Sequence, residues 1–284
     1  MPKVVQLMLI CSLLGTVGCA KTDESNSEVS GQRGELVKDL PPADPGKLPE
    51  DMPKDSLPQA VGFYASGSLI NSYNLPLDGF GFIKVFRTRD RGYVTDLLYW
   101  VLTEAAAELK EGYPDSERVQ IGDTSDSNGG QLSRHASHQN GLDADLAYYR
   151  VNRREMNPEG FGGFDEVFVK TGKITPNFDV VRNYHFIDAL VATGQVGRIF
   201  TDSVIKEALC RYAAQLPKGA MASRSTETLR RLRPITNHQD HMHVRVKCPS
   251  TSPNCQTQEE PPAGSGCPAK GQSLINSYNF HEEE

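Results

Sequence analysis

The sequence predicts a domain of mixed α and β structure, because its stretches show both strand and helix periods. From His241 to Lys247 polar and apolar residues alternate, which is the period of a strand with one face towards the core. Between residues 93 and 109 the apolar residues recur at helical spacing, which favours an amphipathic helix. A second alternating stretch begins at Leu142.

The remaining elements follow from the same two periods and from the turn residues between them. Strands are predicted over residues 80–86, 119–123 and 196–200, and helices over residues 178–191, 202–212 and 225–232. Stretches rich in Gly, Ser and Asp predict loops at residues 124–130 and 160–164. Thr95 or Asp96 is expected to cap the first helix, and Asp202 or Ser203 the helix that ends near Cys210.

Size and charge limit the classes of function. A chain of 284 residues suits one sizeable domain with extra segments, or two small domains. The net charge of −6 argues against a general nucleic-acid-binding protein, because contacts with a phosphate backbone require a basic surface.

Residues 1–18 are predicted to be a signal peptide. Lys3 is followed by an apolar stretch that is too short to span a bilayer, and small residues then lead to Cys19. This resembles a bacterial lipoprotein signal, in which the cysteine is lipidated after cleavage; ordinary secretion with cleavage nearby is the alternative. The residue after the cysteine is Ala20 rather than Asp, which in a Gram-negative bacterium resembles the signal for sorting to the outer membrane. A periplasmic protein with a lipid anchor in the outer membrane is therefore expected.

Composition also divides the mature chain. Residues 19–58 are rich in Pro, Ser, Gly and charged residues and have no aromatic residue, so they are predicted to be a disordered tether. The folded domain is expected over residues 59–268, and residues 269–284 are expected to form a C-terminal tail.

Four cysteines remain besides Cys11 and Cys19: Cys210, Cys248, Cys255 and Cys267. An even number in an oxidising compartment predicts two disulfides. Three pairings exist; Cys248–Cys255 is the most local, and it would leave Cys210–Cys267. A thiolate metal site is disfavoured because the chain has no Cys-x-x-Cys.

The alternating stretch after Asp240 carries a candidate site. His241 and His243 are two residues apart, so on a strand they share a face. Two imidazoles on one rigid strand suit a metal or acid–base site. The alternative is an exposed polar face without further function.

A second stretch, residues 134–148, supplies partners for these histidines. Asn140-Gly141 predicts a tight turn that brings His138 close to Asp145, and histidine with carboxylate suits zinc. His135 is either a neighbour of the site or a loop residue. Asp143 either orients a ligand or stabilises the turn.

Together the two stretches resemble the penicillin-insensitive murein endopeptidases. The matching motifs are His135-x-x-His138-x6-Asp145 and His238-x-x-His241-Met-His243-Val-Arg-Val-Lys-Cys248-Pro249. The resemblance covers roughly residues 60–268. It implies an α+β domain with a small antiparallel sheet and flanking helices, similar to the zinc peptidase domains of the lysostaphin, D-Ala-D-Ala peptidase and hedgehog group.

The resemblance also implies roles for individual residues. Zn²⁺ would be held by His138, Asp145 and His243. His241 would be the catalytic base or transition-state stabiliser, and His238 a supporting active-site residue. The disulfides Cys248–Cys255 and Cys210–Cys267 agree with the pairing above.

The implied activity is zinc-dependent hydrolysis of D-amino-acid-containing peptidoglycan cross-links, of the D-alanyl–diaminopimelate type, through a zinc-activated water. A D,D- or L,D-carboxypeptidase of the same fold and a non-catalytic cell-wall-binding lipoprotein are the alternatives. The expected partners are cross-link peptides and, through the N-terminal lipid, a membrane, but no nucleic acid. The oligomeric state stays open.

Overall fold

The computed structural model describes residues 57–217 and 220–274. The predicted signal peptide, Cys19 and almost all of the predicted tether lie outside the described residues, as does most of the C-terminal tail. In the described part of the chain, no helix is both long enough and apolar enough to cross a membrane.

The described residues form four α-helices and thirteen short strands, which confirms the α+β class. The helices are α1 (Asp96–Gly112), α2 (Val180–Ala192), α3 (Ser203–Ala213) and α4 (Ala220–Arg231). The strands are β1 (Gln59–Phe63), β2 (Ser66–Ile70), β3 (Tyr73–Asn74), β4 (Asp78–Gly79), β5 (Phe82–Lys84), β6 (Tyr93–Val94), β7 (Val119–Ile121), β8 (Asp143–Ala147), β9 (Val169–Lys170), β10 (Lys173–Ile174), β11 (Val196–Thr201), β12 (Leu232–Pro234) and β13 (His241–Val246).

Seven strands form the central sheet in the order β12-β11-β13-β8-β7-β5-β4. The strands at its centre, β11, β13, β8 and β7, pair antiparallel, as expected. The pairs β11–β12 and β5–β7 are parallel, so the sheet is mixed rather than wholly antiparallel. Parallel neighbours need a crossover connection; α3 and α4 provide it for the first pair, and α1 for the second.

The strand β13 has the alternation that the sequence predicts. Met242, Val244 and Val246 are fully buried in the main core. The opposite face is buried as well, since His243 and Arg245 are each less than a tenth exposed. The alternative of an exposed polar face is therefore wrong, and the charges on that face must find partners inside the protein.

The first helix begins later than its apolar period suggests. Tyr93 and Val94 pair with β3 as a strand, so α1 begins at Asp96, with Thr95 as its N-cap. The Thr95 hydroxyl oxygen accepts a hydrogen bond from the backbone N–H of Leu98 at 3.3 Å and donates one to the carbonyl of Gly141 at 3.1 Å. The cap thus ties α1 to the turn that precedes β8.

The strand predicted over residues 80–86 is shorter in the structure. Only Phe82–Lys84 pairs as β5. Gly81 on one side and Phe86 on the other have positive φ values of 79° and 56°, which break the extended backbone. Phe86 leads into a 3₁₀ turn, Arg87–Arg89, beside the cleft described below.

Both predicted disulfides are present. Cys248–Cys255 closes a short loop just after β13, with a sequence separation of 7 residues. Cys210–Cys267 ties the segment after this loop to α3, with a separation of 57 residues.

Removing the long-range disulfide should cost more stability than removing the local one. A larger loop restrains the unfolded chain more, so Cys210→Ser/Cys267→Ser should lower the free energy of unfolding by about 4 kcal/mol. Cys248→Ser/Cys255→Ser should lower it by about 2.5 kcal/mol. Urea denaturation of the two double variants measures the difference, and a larger loss in the local pair would contradict the loop-length argument.

Candidate active site

A cleft of about 290 Å³ lies over the polar face of β8 and β13. Its walls come from the 3₁₀ turn, residues 134–138, residues 162–164 and residues 235–238. All five site residues that the resemblance assigns line this cleft: His138, Asp145, His238, His241 and His243.

The pairing of β8 with β13 positions several side chains of the site. His243 lies opposite Asp145, and Arg245 lies opposite Asp143. The two carboxylates, two residues apart, therefore face two basic side chains across the ladder, as residues on one face of neighbouring strands do.

His138 lies in the predicted turn, with a positive φ of 66°. Its Nδ1 lies 2.7 Å from the carbonyl oxygen of Thr124. A carbonyl only accepts, so Nδ1 carries the proton and Nε2 is an acceptor. Nε2 lies 3.2 Å from Oδ1 of Asp145, and both atoms are buried without a hydrogen-bond partner among the described residues.

These two atoms face each other in a buried place, so they need a cation between or beside them: either a proton that makes His138 an imidazolium ion, or a metal ion. Burial opposes the charged imidazole, yet Asp145 raises the pKa of His138. Burial also opposes the charged carboxylate, but the imidazoles of His138 and His241 hold the pKa of Asp145 well below its usual range. The residues present thus fit a bound metal ion.

His243 adds a third donor on the same side of Asp145. Its Nδ1 lies 3.7 Å from Oδ1 of Asp145, and its Nε2 lies 3.1 Å from Oδ1 of Asp143. Burial lowers the pKa of His243 to about 4, so the ring is neutral at neutral pH, as a metal ligand must be. The three ligands predicted from the sequence are brought together.

Asp143 is completely buried and accepts several donors. The backbone N–H of His138 donates to it at 3.1 Å, and Nε and Nη2 of Arg245 donate at 2.8 and 3.2 Å. Burial by itself would raise its pKa, but Arg245 and His243 hold the pKa far below its usual range. Asp143 therefore stabilises the turn and also contacts His243, and its role in orienting a metal ligand stays a prediction.

His135 is a neighbour of the candidate metal ligands, which is one of the two interpretations that the sequence allowed. Its Nδ1 lies 3.6 Å from Oδ2 of Asp145, and its Nε2 lies 3.1 Å from Oδ2 of Asp123. Donor atoms of His135, His138 and Asp145 all lie within 4.8 Å of one another. Two overlapping donor sets thus share His138 and Asp145: one includes His243 on the Oδ1 side, the other His135 on the Oδ2 side.

The other two histidines differ in charge and orientation. Burial lowers the pKa of His238 to about 3, and its Nδ1 donates to the carbonyl of Thr236 at 2.7 Å. His241 is partly buried, but Asp145 and Asp240 outweigh the desolvation and raise its pKa. Its Nδ1 donates to Oδ1 of Asp240 at 2.6 Å, and its Nε2 lies 3.7 Å from Oδ1 of Asp145.

Sequence reasoning missed several residues of this site. Asp123 is buried, contacts His135, and accepts from Arg89 and Arg91 at 2.8 and 3.3 Å. The position of Asp123 as the last residue of a predicted strand was the available signal. Phe164, which stacks on His241, comes from a loop and gave no signal in the sequence.

Comparisons with known proteins all find relatives of one family. A sequence model of the family described as penicillin-insensitive murein endopeptidase matches residues 60–284. A protein of that name from Pectobacterium atrosepticum is 32% identical over 224 residues, covering 77% of this chain and 75% of the relative. Proteins of the same name from Yersinia enterocolitica and Klebsiella pneumoniae are 33% and 30% identical, with coverage of 78% and 76% of each chain.

Replacing the buried carboxylate of Asp143 should destabilise the protein strongly. Asp143→Asn removes the charge that offsets Arg245, so the free energy of unfolding should fall by about 3 kcal/mol or more. The matched control is Asp78→Asn, since Asp78 also bonds two guanidinium groups but is about half exposed; it should cost about 1 kcal/mol or less. Urea denaturation measures the free energy of unfolding of both variants. Equal losses would contradict the stabilising role of Asp143.

The pH dependence of stability should follow from the same carboxyl. Its pKa is lowered on folding, so its stabilisation is complete well above the unfolded value of about 3.9 and is lost as pH falls below that value. The free energy of unfolding of the native sequence should therefore fall as pH drops from about 5 towards 2. Asp143→Asn should show a shallower fall; an unchanged slope would argue against the lowered pKa.

Proposed function

The chain belongs to the penicillin-insensitive murein endopeptidase family, and on that premise we propose that it is a zinc-dependent endopeptidase of peptidoglycan. Its substrates would be cross-link peptides, cut at a D-alanyl–diaminopimelate type of bond. The observation that carries the metal assignment is the pair of buried, unpartnered acceptors, His138 Nε2 and Asp145 Oδ1, 3.2 Å apart.

We assign the zinc ligands to His138, Asp145 and His243. Two neutral imidazoles and one carboxylate leave a coordination position for water, as in catalytic zinc sites generally. Zinc bound there would lower the pKa of that water towards ~7 and polarise the amide carbonyl. His135 is not assigned to this set because the resemblance gives the third position to His243, although Nδ1 of His135 also faces Asp145 and its Nε2 contacts Asp123.

His241 is suited to move the proton of the reaction. Its Nδ1–H is held by Asp240, so Nε2 is the free acceptor on the side of Asp145. It would take the proton from the attacking water and deliver it to the leaving amine. Proton transfer of this kind contributes about 10²–10⁴-fold to rate.

His238 complements this role as a neutral acceptor. Its Nδ1–H is used by the Thr236 carbonyl, and its low pKa keeps Nε2 unprotonated at neutral pH. It would orient a water molecule or a substrate N–H beside His241. No step requires a serine nucleophile, so β-lactams, which acylate serine, are not expected to inhibit the enzyme.

Digestion of purified muropeptides tests the activity. Zinc-loaded protein should convert cross-linked dimers to monomers, chelator should stop the reaction, and added zinc should restore it. Chromatography with mass spectrometry identifies the products. Intact dimers with release of free D-Ala would instead show a carboxypeptidase, and unchanged muropeptides would favour a non-catalytic cell-wall-binding protein.

Two histidine variants separate metal binding from proton transfer. His243→Ala should lose zinc and activity together, because it removes a ligand. His241→Ala should keep zinc and lose about 10²-fold or more of kcat. Metal analysis and muropeptide kinetics on the same preparations measure both, and full zinc content in the His243 variant would refute the ligand assignment.

The family name refers to murein, and we propose that the chain acts in the periplasm, anchored to the outer membrane through Cys19. Cys19→Ala should move the protein from the membrane fraction to the soluble fraction while leaving muropeptide digestion intact. Immunoblots of cell fractions measure this. A variant that stays with the membrane would exclude the lipid anchor at this residue.

A further inference from the structure

The loop of residues 160–164 forms a wall of the cleft and brings an aromatic ring to the proton-handling histidine. The ring of Phe164 stacks on the ring of His241, with centroids 5.0 Å apart and an angle of 17° between the planes. Its neighbours in the cleft wall, Gly162 and Gly163, leave the space around them open. Of the three loop residues that line the cleft, Phe164 is the bulky one, and its ring contacts His241.

The ring of Phe164 is held by packing contacts with neighbouring residues. Its ring packs edge-on against buried Phe86, with centroids 5.1 Å apart. On another side it meets Gly122, where an added Cβ would come within 2.7 Å of Cζ of Phe164. The loop is fastened by Arg89, whose Nη2 donates to the carbonyl of Phe161 at 2.6 Å.

A second contact acts on the same imidazole in a different direction. Nδ1 of His241 donates a hydrogen bond to Oδ1 of Asp240 at 2.6 Å. A carboxylate only accepts when ionised, so this bond requires the proton on Nδ1 and leaves Nε2 as the acceptor. The stack restricts tilting of the ring, and the hydrogen bond restricts rotation about the ring normal.

We propose that Phe164 and Asp240 form a clamp that fixes the plane and the tautomer of His241, as positioning residues for the reaction. The role in catalysis rests on the proposed function, whereas the clamp itself is a property of the folded chain. Errors of about 1 Å in the placement of a reacting group cost about 10²-fold in rate. A held imidazole is therefore worth a large part of the contribution of a general base.

Nuclear magnetic resonance of the full chain tests the clamp without any assay of activity. With ¹⁵N-labelled histidine at alkaline pH, Nδ1 of His241 should carry the proton and Nε2 should not, both before and after zinc is added. Asp240→Ala should remove this preference. Phe164→Leu should remove the ring-current shift from the ring protons of His241; an unchanged shift or an unchanged tautomer would overturn the corresponding half of the clamp.

Kinetics test the consequence, with a matched control in the same loop. Phe164→Leu should lower kcat about tenfold with KM changed by less than about twofold, because ground-state binding is untouched. Phe161→Leu changes the same residue type, but Phe161 is 68% exposed and keeps its carbonyl for Arg89, so kcat should stay within about twofold.

Two further variants strengthen the test. Gly122→Ala should displace the Phe164 ring and lower kcat, but its Cβ would also come within 3.2 Å of the carbonyl oxygen of Asp145, so it counts only together with Phe164→Leu. Asp240→Asn should lower kcat by about 10²-fold or more, since an amide can donate to Nδ1 and stabilise the wrong tautomer.

The outcomes separate the two proposals. If the native protein digests muropeptides and the Phe164 and Phe161 variants are equally active or equally impaired, the clamp is wrong. If the native protein digests nothing, the proposed function fails, while the resonance experiment still decides whether the clamp exists.

Discussion

The buried carboxylate of Asp143 is the contact on which the site depends. It joins three parts of the chain: the turn, through the N–H of His138; the neighbouring strand, through Arg245; and the ring of His243. A buried charge is tolerated only when it is paired and hydrogen-bonded. Because Asp143 meets that condition within the protein, it can hold the turn and the strand in one arrangement.

Asp145, two residues further along the chain, is surrounded by different side chains. It is equally enclosed, yet its neighbours are imidazoles rather than a guanidinium group. The protein thus supplies a permanent cation to one carboxylate and leaves the other with groups that are neutral when deprotonated. This difference explains why a metal ion suits the position of Asp145 and not that of Asp143.

The mixed sheet holds these side chains in position. Its two parallel pairs lie towards its edges, and the strands that carry the ligands are antiparallel neighbours near its centre. Direct pairing places His243 opposite Asp145 with little freedom, since the residues of a ladder are fixed by backbone hydrogen bonds. The N-cap of α1 reaches the same turn through Gly141, so the helix layer supports the site as well.

Much of this could be derived from local sequence. The alternation of β13 and the Asn140-Gly141 turn report on neighbouring residues along the chain, and they correctly indicated which side chains share a face. The two disulfides followed from four cysteines and their spacing. The resemblance to a known family named His138, Asp145 and His243 as candidate ligands, and the structure places them beside one another.

Contacts between loops could not be derived in this way. The proximity of His135 to Asp145, its bond to Asp123 and the stack of Phe164 on His241 each depend on how a loop packs against another element. No local period records which loops meet above a sheet, because that depends on how the whole chain packs. The sequence by itself determined the strand, the turn and the residue types of the site; the tertiary structure decided their neighbours, and with them the charge and orientation of each imidazole.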